Sequence, residues 1–219
     1  MGSTADLHPT AEALLDVATA LLDGEGRDAV TARRLGREIG ASSMAVYTYF
    51  GSMDDLMAAI WRRGFARFGA ALTSVTTTAD PVADWMVQGW AYRRFALANP
   101  HLYRVMFSEG LVSFTSGADA DREAALATFV ALLDRIERCV EHGRWKVPDV
   151  TLGGEVVWMA THGHCSVELT GYFTAVGRDP ERLFDEATRR LAIGFGDDPE
   201  QVDSSAAAAR RRARRAARS

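Results

Sequence analysis

Ser42, Ser43, Met44, Tyr47, Thr48 and Tyr49 crowd into one short stretch bounded by Gly40 and Gly51. Hydroxyl groups in such a stretch can bond base edges or phosphates, and a methionine can press on a thymine methyl. If the stretch is a helix, Ser43, Met44, Tyr47 and Thr48 form its outer side, a surface suited to a major groove. Arg33, a little earlier, has the reach for a guanine or a phosphate. A second set, Trp158, His162 and Cys165, stands at i, i+4 and i+7 and so shares one helix face. That face has two readings: a ligand pocket lined by indole, imidazole and thiol, or a packed helix with a core histidine and Gly163 admitting a neighbour. A metal site built from His162, His164 and Cys165 is disfavoured, because His164 points away and no acidic residue stands at helical spacing to complete a face. Trp85, Trp90, Tyr103, Met106 and Phe107 are ordinary core types, yet effector cavities are lined by the same types. Of these, Trp85, Tyr103, Met106 and Phe107 join Trp158, His162 and Cys165 as candidate ligand contacts.

Helices must position all of these groups. Leu14, Leu15, Ala18, Leu21 and Leu22 recur at helical spacing, predicting a helix over 10–22 that Gly24 and Gly26 stop. Thr31 caps a second helix to about Glu38, with Leu35 and Ile39 inward, and Gly40 supplies the left-handed backbone of a tight turn. Ser42 or Ser43 caps a third helix to about Tyr49, with Val46 and Phe50 inward. Ser52 and Asp55 stand in capping-box spacing ahead of a helix over 53–72, with Asp in place of the usual Glu or Gln. After a threonine-rich connector, Asp80-Pro81 and Asn99-Pro100 each open a helix. Residues 111–119 read as a loop. Further helices are expected over 121–142, 149–176 and 179–195, the second with an indistinct start at Gly153-Gly154. The run of alanine and arginine after Ala206 reads as a tail without structure of its own.

The chain has 219 residues and a net charge of −4, with 47% apolar residues. That composition, with little proline and no strand-type alternation, favours an all-α chain. Charge is unevenly spread. Residues 1–26 carry five acids and no base, 27–67 carry seven bases against four acids, and 68–205 carry twenty acids against twelve bases. Attraction to DNA is thus confined to the two-helix motif and the arginine tail, while an acidic body discourages wrapping. Two cysteines suggest no disulfide framework, and no apolar run is long enough to span a membrane, so a cytoplasmic protein is expected. Nothing resembles an oxyanion site, a phosphate loop or paired catalytic carboxylates, which leaves a small helical enzyme using Cys165 or His162 as the weaker alternative.

Thr31, Leu35, Gly40, Ala41, Ser42, Val46, Tyr47, Tyr49 and Phe50 together resemble the DNA-binding domain of the tetracycline-repressor (TetR) family of one-component regulators. The resemblance implies that Thr31, Ala45, Tyr47, Thr48 and Tyr49 touch phosphates and that Arg33, Ser43 and Met44 face bases, with Ser42 in the same contacting set. Met53 departs from the pattern, which usually has Lys there, so one phosphate contact is lost. Asn99-Pro100-His101-Leu102-Tyr103, Met106-Phe107 and Trp158 with His162-Gly163 resemble the WHG-type C-terminal domain of such regulators. The expected organisation is a three-helix helix-turn-helix domain over 1–60, a helical ligand-binding and dimerisation domain over 61–196, and a tail over 197–219. The resemblance further implies a homodimer through the last two large helices, a double-stranded operator and a small-molecule effector; no cofactor or metal is expected.

Overall fold

The computed structural model describes residues 8–107 and 119–216. In chain order its helices are α1 (Pro9–Glu25), α2 (Ala32–Glu38), α3 (Met44–Phe50), α4 (Met53–Thr73), α5 (Pro81–Ala98), α6 (Pro100–Phe107), α7 (Asp119–Glu141), α8 (Val150–Leu169), α9 (Tyr172–Ala175), α10 (Pro180–Gly194) and α11 (Pro199–Ala216). There is no strand among the described residues, so the chain is all-α. The loop expected at 111–119 falls almost wholly outside the described residues. Two compact units result, one of residues 1–66 with 99–124 and one of 67–98 with 125–219. This division differs from the one expected, since α6 groups with the N-terminal helices and the tail groups with the second unit.

The first unit is held by apolar residues from one face of α1 and from α2, α3, α4 and α6. Leu14, Ala18, Leu22, Leu35, Val46, Leu56 and Ile60 are fully enclosed. Trp61 lies beneath them, and its Nε1 donates to the Met106 carbonyl at 3.1 Å, so the one polar atom of a buried indole is satisfied. His101 Nδ1 lies 3.1 Å from the Leu22 carbonyl and donates to it, tying α6 to the last turn of α1.

The second unit is built around α5, which is buried on nearly every side, as a helix without a polar stripe must be. Trp85, Met86 and Val87 pack with Ile136, Cys139, Trp145, Val157 and Ala192 in one core. The close start of α8 has a packing reason. A side chain at Gly153 would meet Val147 Cγ1 at 2.7 Å, and one at Gly154 would collide with Leu133, so these glycines sit inside the helix and let it approach α7.

Two expected elements are corrected. The single helix predicted over 149–176 is two, because the chain breaks at Thr170 and Gly171 and resumes as the short α9. The tail is not unstructured: it forms α11. Alanine and arginine are strong helix formers, and Val202, Ala206 and Ala209 make an apolar stripe that joins the core around α5. Three of its charges are also answered. Arg212 reaches the Asp84 carboxylate at 2.6 Å, Arg210 reaches Asp185 at 2.8 Å, and Asp203 receives Arg189 at 2.5 Å.

Candidate nucleic-acid interface

Helices α2 and α3 meet around Leu35 and Val46, both wholly enclosed. Thr31 caps α2 as expected, its hydroxyl accepting from the Arg34 N–H at 3.3 Å. Gly40 has φ +69°, the left-handed turn that the sequence implied. Gly36 was passed over by the sequence reading and is as important. Its position faces the turn backbone, where an added Cβ would lie 2.8 Å from the Ala41 carbonyl oxygen. A glycine in a helix interior is disfavoured by about 1 kcal/mol relative to alanine, and that cost was the available signal. Arg34 fastens α2 to the end of α1 through a two-pronged pair with Glu25 at 2.7 and 2.6 Å. That hydrogen bond holds the Glu25 carboxyl below its usual range.

Helix α3 leaves its chemistry outward. Thr31, Arg33, Ser42, Ser43, Met44, Tyr47, Thr48 and Tyr49 are all exposed, and Ala45 is half-buried. Met44 is 61% exposed and Tyr47 45%, so the described residues leave both side chains largely uncovered. Neither serine caps α3 with its side chain, contrary to expectation. Ser43 holds the capping position without a side-chain bond, and the Ser42 carbonyl accepts from the Ala45 N–H at 3.0 Å. Both hydroxyls, the Tyr47 hydroxyl and the Arg33 guanidinium therefore lack a partner among the described residues. Thr48 donates to the Met44 carbonyl at 3.0 Å and keeps its lone pairs, while Tyr49 stacks on His8 at 4.9 Å between centroids. At the start of α4 the Ser52 hydroxyl accepts from the Asp55 N–H at 3.0 Å and donates to the Asp55 carboxylate at 2.6 Å. Asp, a methylene shorter than Glu, reaches the hydroxyl instead of the Ser52 N–H that a capping box uses.

The candidate ligand contacts are divided between the two units. Tyr103, Met106 and Phe107 belong to the first unit, with Tyr103 and Met106 almost fully buried and Phe107 against Phe65. Trp85 is in the core of the second unit, edge-on to Trp145 at 4.9 Å, because α5 is enclosed all round. Trp158, His162 and Cys165 do share one face of α8, graded from exposed to sealed. Trp158 stacks on His162 at 5.4 Å, the Tyr92 hydroxyl lies 3.2 Å from His162 Nδ1, and Ser166 Oγ lies 3.4 Å from Nε2. Burial keeps the His162 imidazole below its ordinary value and so neutral. Burial also pushes the Cys165 thiol up to about 12. Glu168, overlooked in the sequence, stands one turn beyond His164 with 3.3 Å between its carboxylate and His164 Nε2. It also receives Arg93 from α5 at 2.8 and 2.5 Å, so it serves an ion pair between helices. Among the described residues no group of three His, Cys, Asp or Glu could hold a metal ion.

A small helical unit that turns an uncovered α3 outward, carried on the same chain as a larger helical unit, defines a one-component DNA-binding regulator. Residues 14–60 match the model for bacterial regulatory proteins of the tetR family, and residues 85–191 match the tetracyclin repressor-like C-terminal domain. The chain belongs to the TetR family of transcriptional regulators. It is 25% identical over 184 residues to the uncharacterized HTH-type transcriptional regulator Rv0681 of Mycobacterium tuberculosis, covering 84% of this chain and 80% of that one. Among solved structures, a protein of unknown function from Rhodococcus sp. RHA1 superposes with a TM-score of 0.77 at 22% identity, covering 90% of this chain and all of that one. RolR in complex with resorcinol superposes with a TM-score of 0.65 at 16% identity, covering 90% and 92%. These two likenesses are of fold.

Proposed function

We propose that this regulator is a homodimeric repressor that holds a palindromic operator and releases it when a small molecule occupies its second unit. The observation that carries the reading is the outward set on α2 and α3: Arg33, Ser43 and Met44 for base edges, and Thr31, Ser42, Ala45, Tyr47, Thr48 and Tyr49 for phosphates. Two copies place two such helices in successive major grooves, with half-sites roughly 34–36 Å apart. The exposed apolar residues Leu152, Met159 and Val167 on α8 support pairing with a second copy. Pairing through α8 and α10 is the proposal, since α11 is now the last large helix of the chain.

The small molecule meets Trp158, His162 and Tyr92, where a stacked ring pair and a neutral imidazole offer apolar surface with a few polar atoms. RolR, of the same fold, was solved with resorcinol, which supports an effector of that size. Trp85, Tyr103, Met106, Phe107 and Cys165 serve the packing around which this happens. The protein is not an enzyme in this reading. Cys165 is fully buried and stays a thiol at neutral pH, so it makes a poor nucleophile, and His162 is engaged by Tyr92 and Ser166. No helix among the described residues is long and apolar enough to cross a membrane, and the proposed setting is the cytoplasm with the DNA.

Release by a factor of about 1000 requires about 4 kcal/mol of coupling between effector and operator, and by linkage DNA weakens the effector equally. The lever is α4, which runs from the first unit into the second. The test is a titration of the purified protein against its own promoter duplex, with and without candidate small molecules. Saturable binding that a ligand weakens is expected. Absence of any footprint on neighbouring intergenic DNA contradicts the reading.

A further inference from the structure

The second unit contains a groove of about 580 Å³ lined by α5, α10, α11 and the turn at 74–76, a size within the range of small-ligand sites. Its lining is divided by chemistry. Val75, Val87, Trp90, Ala91 and Leu97 give an apolar floor, and α11 contributes the small residues Ala213 and Ala216. Five arginines and two acids stand around it: Arg93, Arg94, Arg210, Arg212 and Arg214 with Glu181 and Asp185.

Three of the arginines are committed within the protein. Arg93 holds Glu168 at 2.5 Å with Glu181 at 3.8 Å, Arg210 holds Asp185 at 2.8 Å, and Arg212 holds Asp84 and the Thr76 carbonyl, each at 2.6 Å. Both lining acids are thereby used. Arg94 on α5 and Arg214 on α11 have no hydrogen-bond or ion-pair partner among the described residues. An apolar floor under two unanswered guanidinium groups complements an amphipathic anion, and guanidinium pairs best with a planar carboxylate.

We propose that this groove binds a carboxylic acid with an apolar body, its carboxylate held between Arg94 and Arg214 and its body on Trp90, Val87 and Leu97. The site is separate from the Trp158–His162 face and exists only because the arginine-rich C-terminal segment folds as α11. A bound carboxylate ties α11 to α5, so occupancy also fixes the C-terminal helix.

Isothermal titration of the full chain with dodecanoate, kept below its micellar concentration, and with its methyl ester tests this. One dodecanoate per chain is expected, with the ester bound at least about tenfold more weakly because it lacks the charge. The variant R94Q/R214Q loses at least about tenfold in dodecanoate affinity with its helical circular dichroism intact. Ala213→Phe, which fills the groove and keeps every arginine, abolishes binding, and dodecanoate slows amide exchange along α11 of the unmodified chain only. Failure of dodecanoate to bind, equal binding of the ester, or undiminished binding by either variant overturns the proposal. Promoter binding measured on the same preparation separates the two readings: its loss bears on the regulator and leaves the groove untouched, and the converse holds.

Discussion

At the scale of single residues, the division of labour follows from what each side chain has already been given to do. Arg34 is engaged by Glu25 and Glu38 and ties α2 to the end of α1, whereas Arg33 one position earlier has no partner among the described residues. The same contrast separates His164, beside Glu168, from His162, whose ring meets Tyr92, Ser166 and Trp158. Burial disfavours the imidazolium of His162, so the folded chain takes up its proton at lower pH than the unfolded chain does. In that window the unfolded state binds more protons, and stability falls as the pH drops. His164 has the same sign, with burial outweighing Glu168. The melting temperature is expected to fall between about pH 7 and pH 5, through the ordinary imidazole range, and His162→Gln is expected to flatten the slope. Thermal melts by circular dichroism across that range check it; an unaltered slope in the variant contradicts the burial of His162.

At the scale of elements, close approach decides where small residues are needed. Gly36→Ala adds a methyl that meets the Ala41 carbonyl and Ser42 backbone, neither of which can give way as a flexible side chain would. Overpacking of about 1–3 kcal/mol is set against a propensity gain of about 1 kcal/mol, so a net loss of stability and of operator affinity is expected. Urea unfolding together with a promoter titration measures both. The C-terminal helix rests on a different device. Asp84 is wholly buried, yet its carboxyl is held below its usual range. Burial alone pushes it up, and the Thr78 N–H, Arg212, the Thr78 hydroxyl and Arg138 together reverse that. Arg212→Gln leaves Asp84 with Arg138 and Thr78 and is expected to cost about 1–3 kcal/mol, with faster amide exchange along α11. Unchanged exchange contradicts the role given to Arg212. Much of this level was legible in the sequence. Caps such as Thr31 and Asp80 act over three residues, so α2 and the start of α5 could be read directly. The order of α11 could not be read that way, because it depends on Asp84 and Asp185, far away in the chain. The division of the ligand candidates between the two units was equally hidden. Tyr103, Met106 and Phe107 look like cavity residues by type, and only the three-dimensional arrangement shows them among the helices of the first unit.

At the scale of the whole molecule, the proposed reading has an acidic chain bind DNA through one small region of opposite sign. Residues 27–67 carry seven bases against four acids, while two arginines of α11 have a different fate. Arg210 and Arg212 pair with Asp185 and Asp84 within the second unit. In the proposed reading binding rests on α2 and α3, where the neutral hydroxyls of Tyr47 and Thr48 supply contacts that Met53, in the place of the usual lysine, does not. The most direct measurement is a fluorescence-anisotropy titration of the promoter duplex with the unmodified chain and with Y47A/T48A. Each lost contact is worth about 1–3 kcal/mol, so the double variant is expected to bind roughly a hundredfold more weakly or worse, with its helical content and melting temperature unchanged. Equal affinity in the two proteins would mean that the outer side of α3 does not meet DNA.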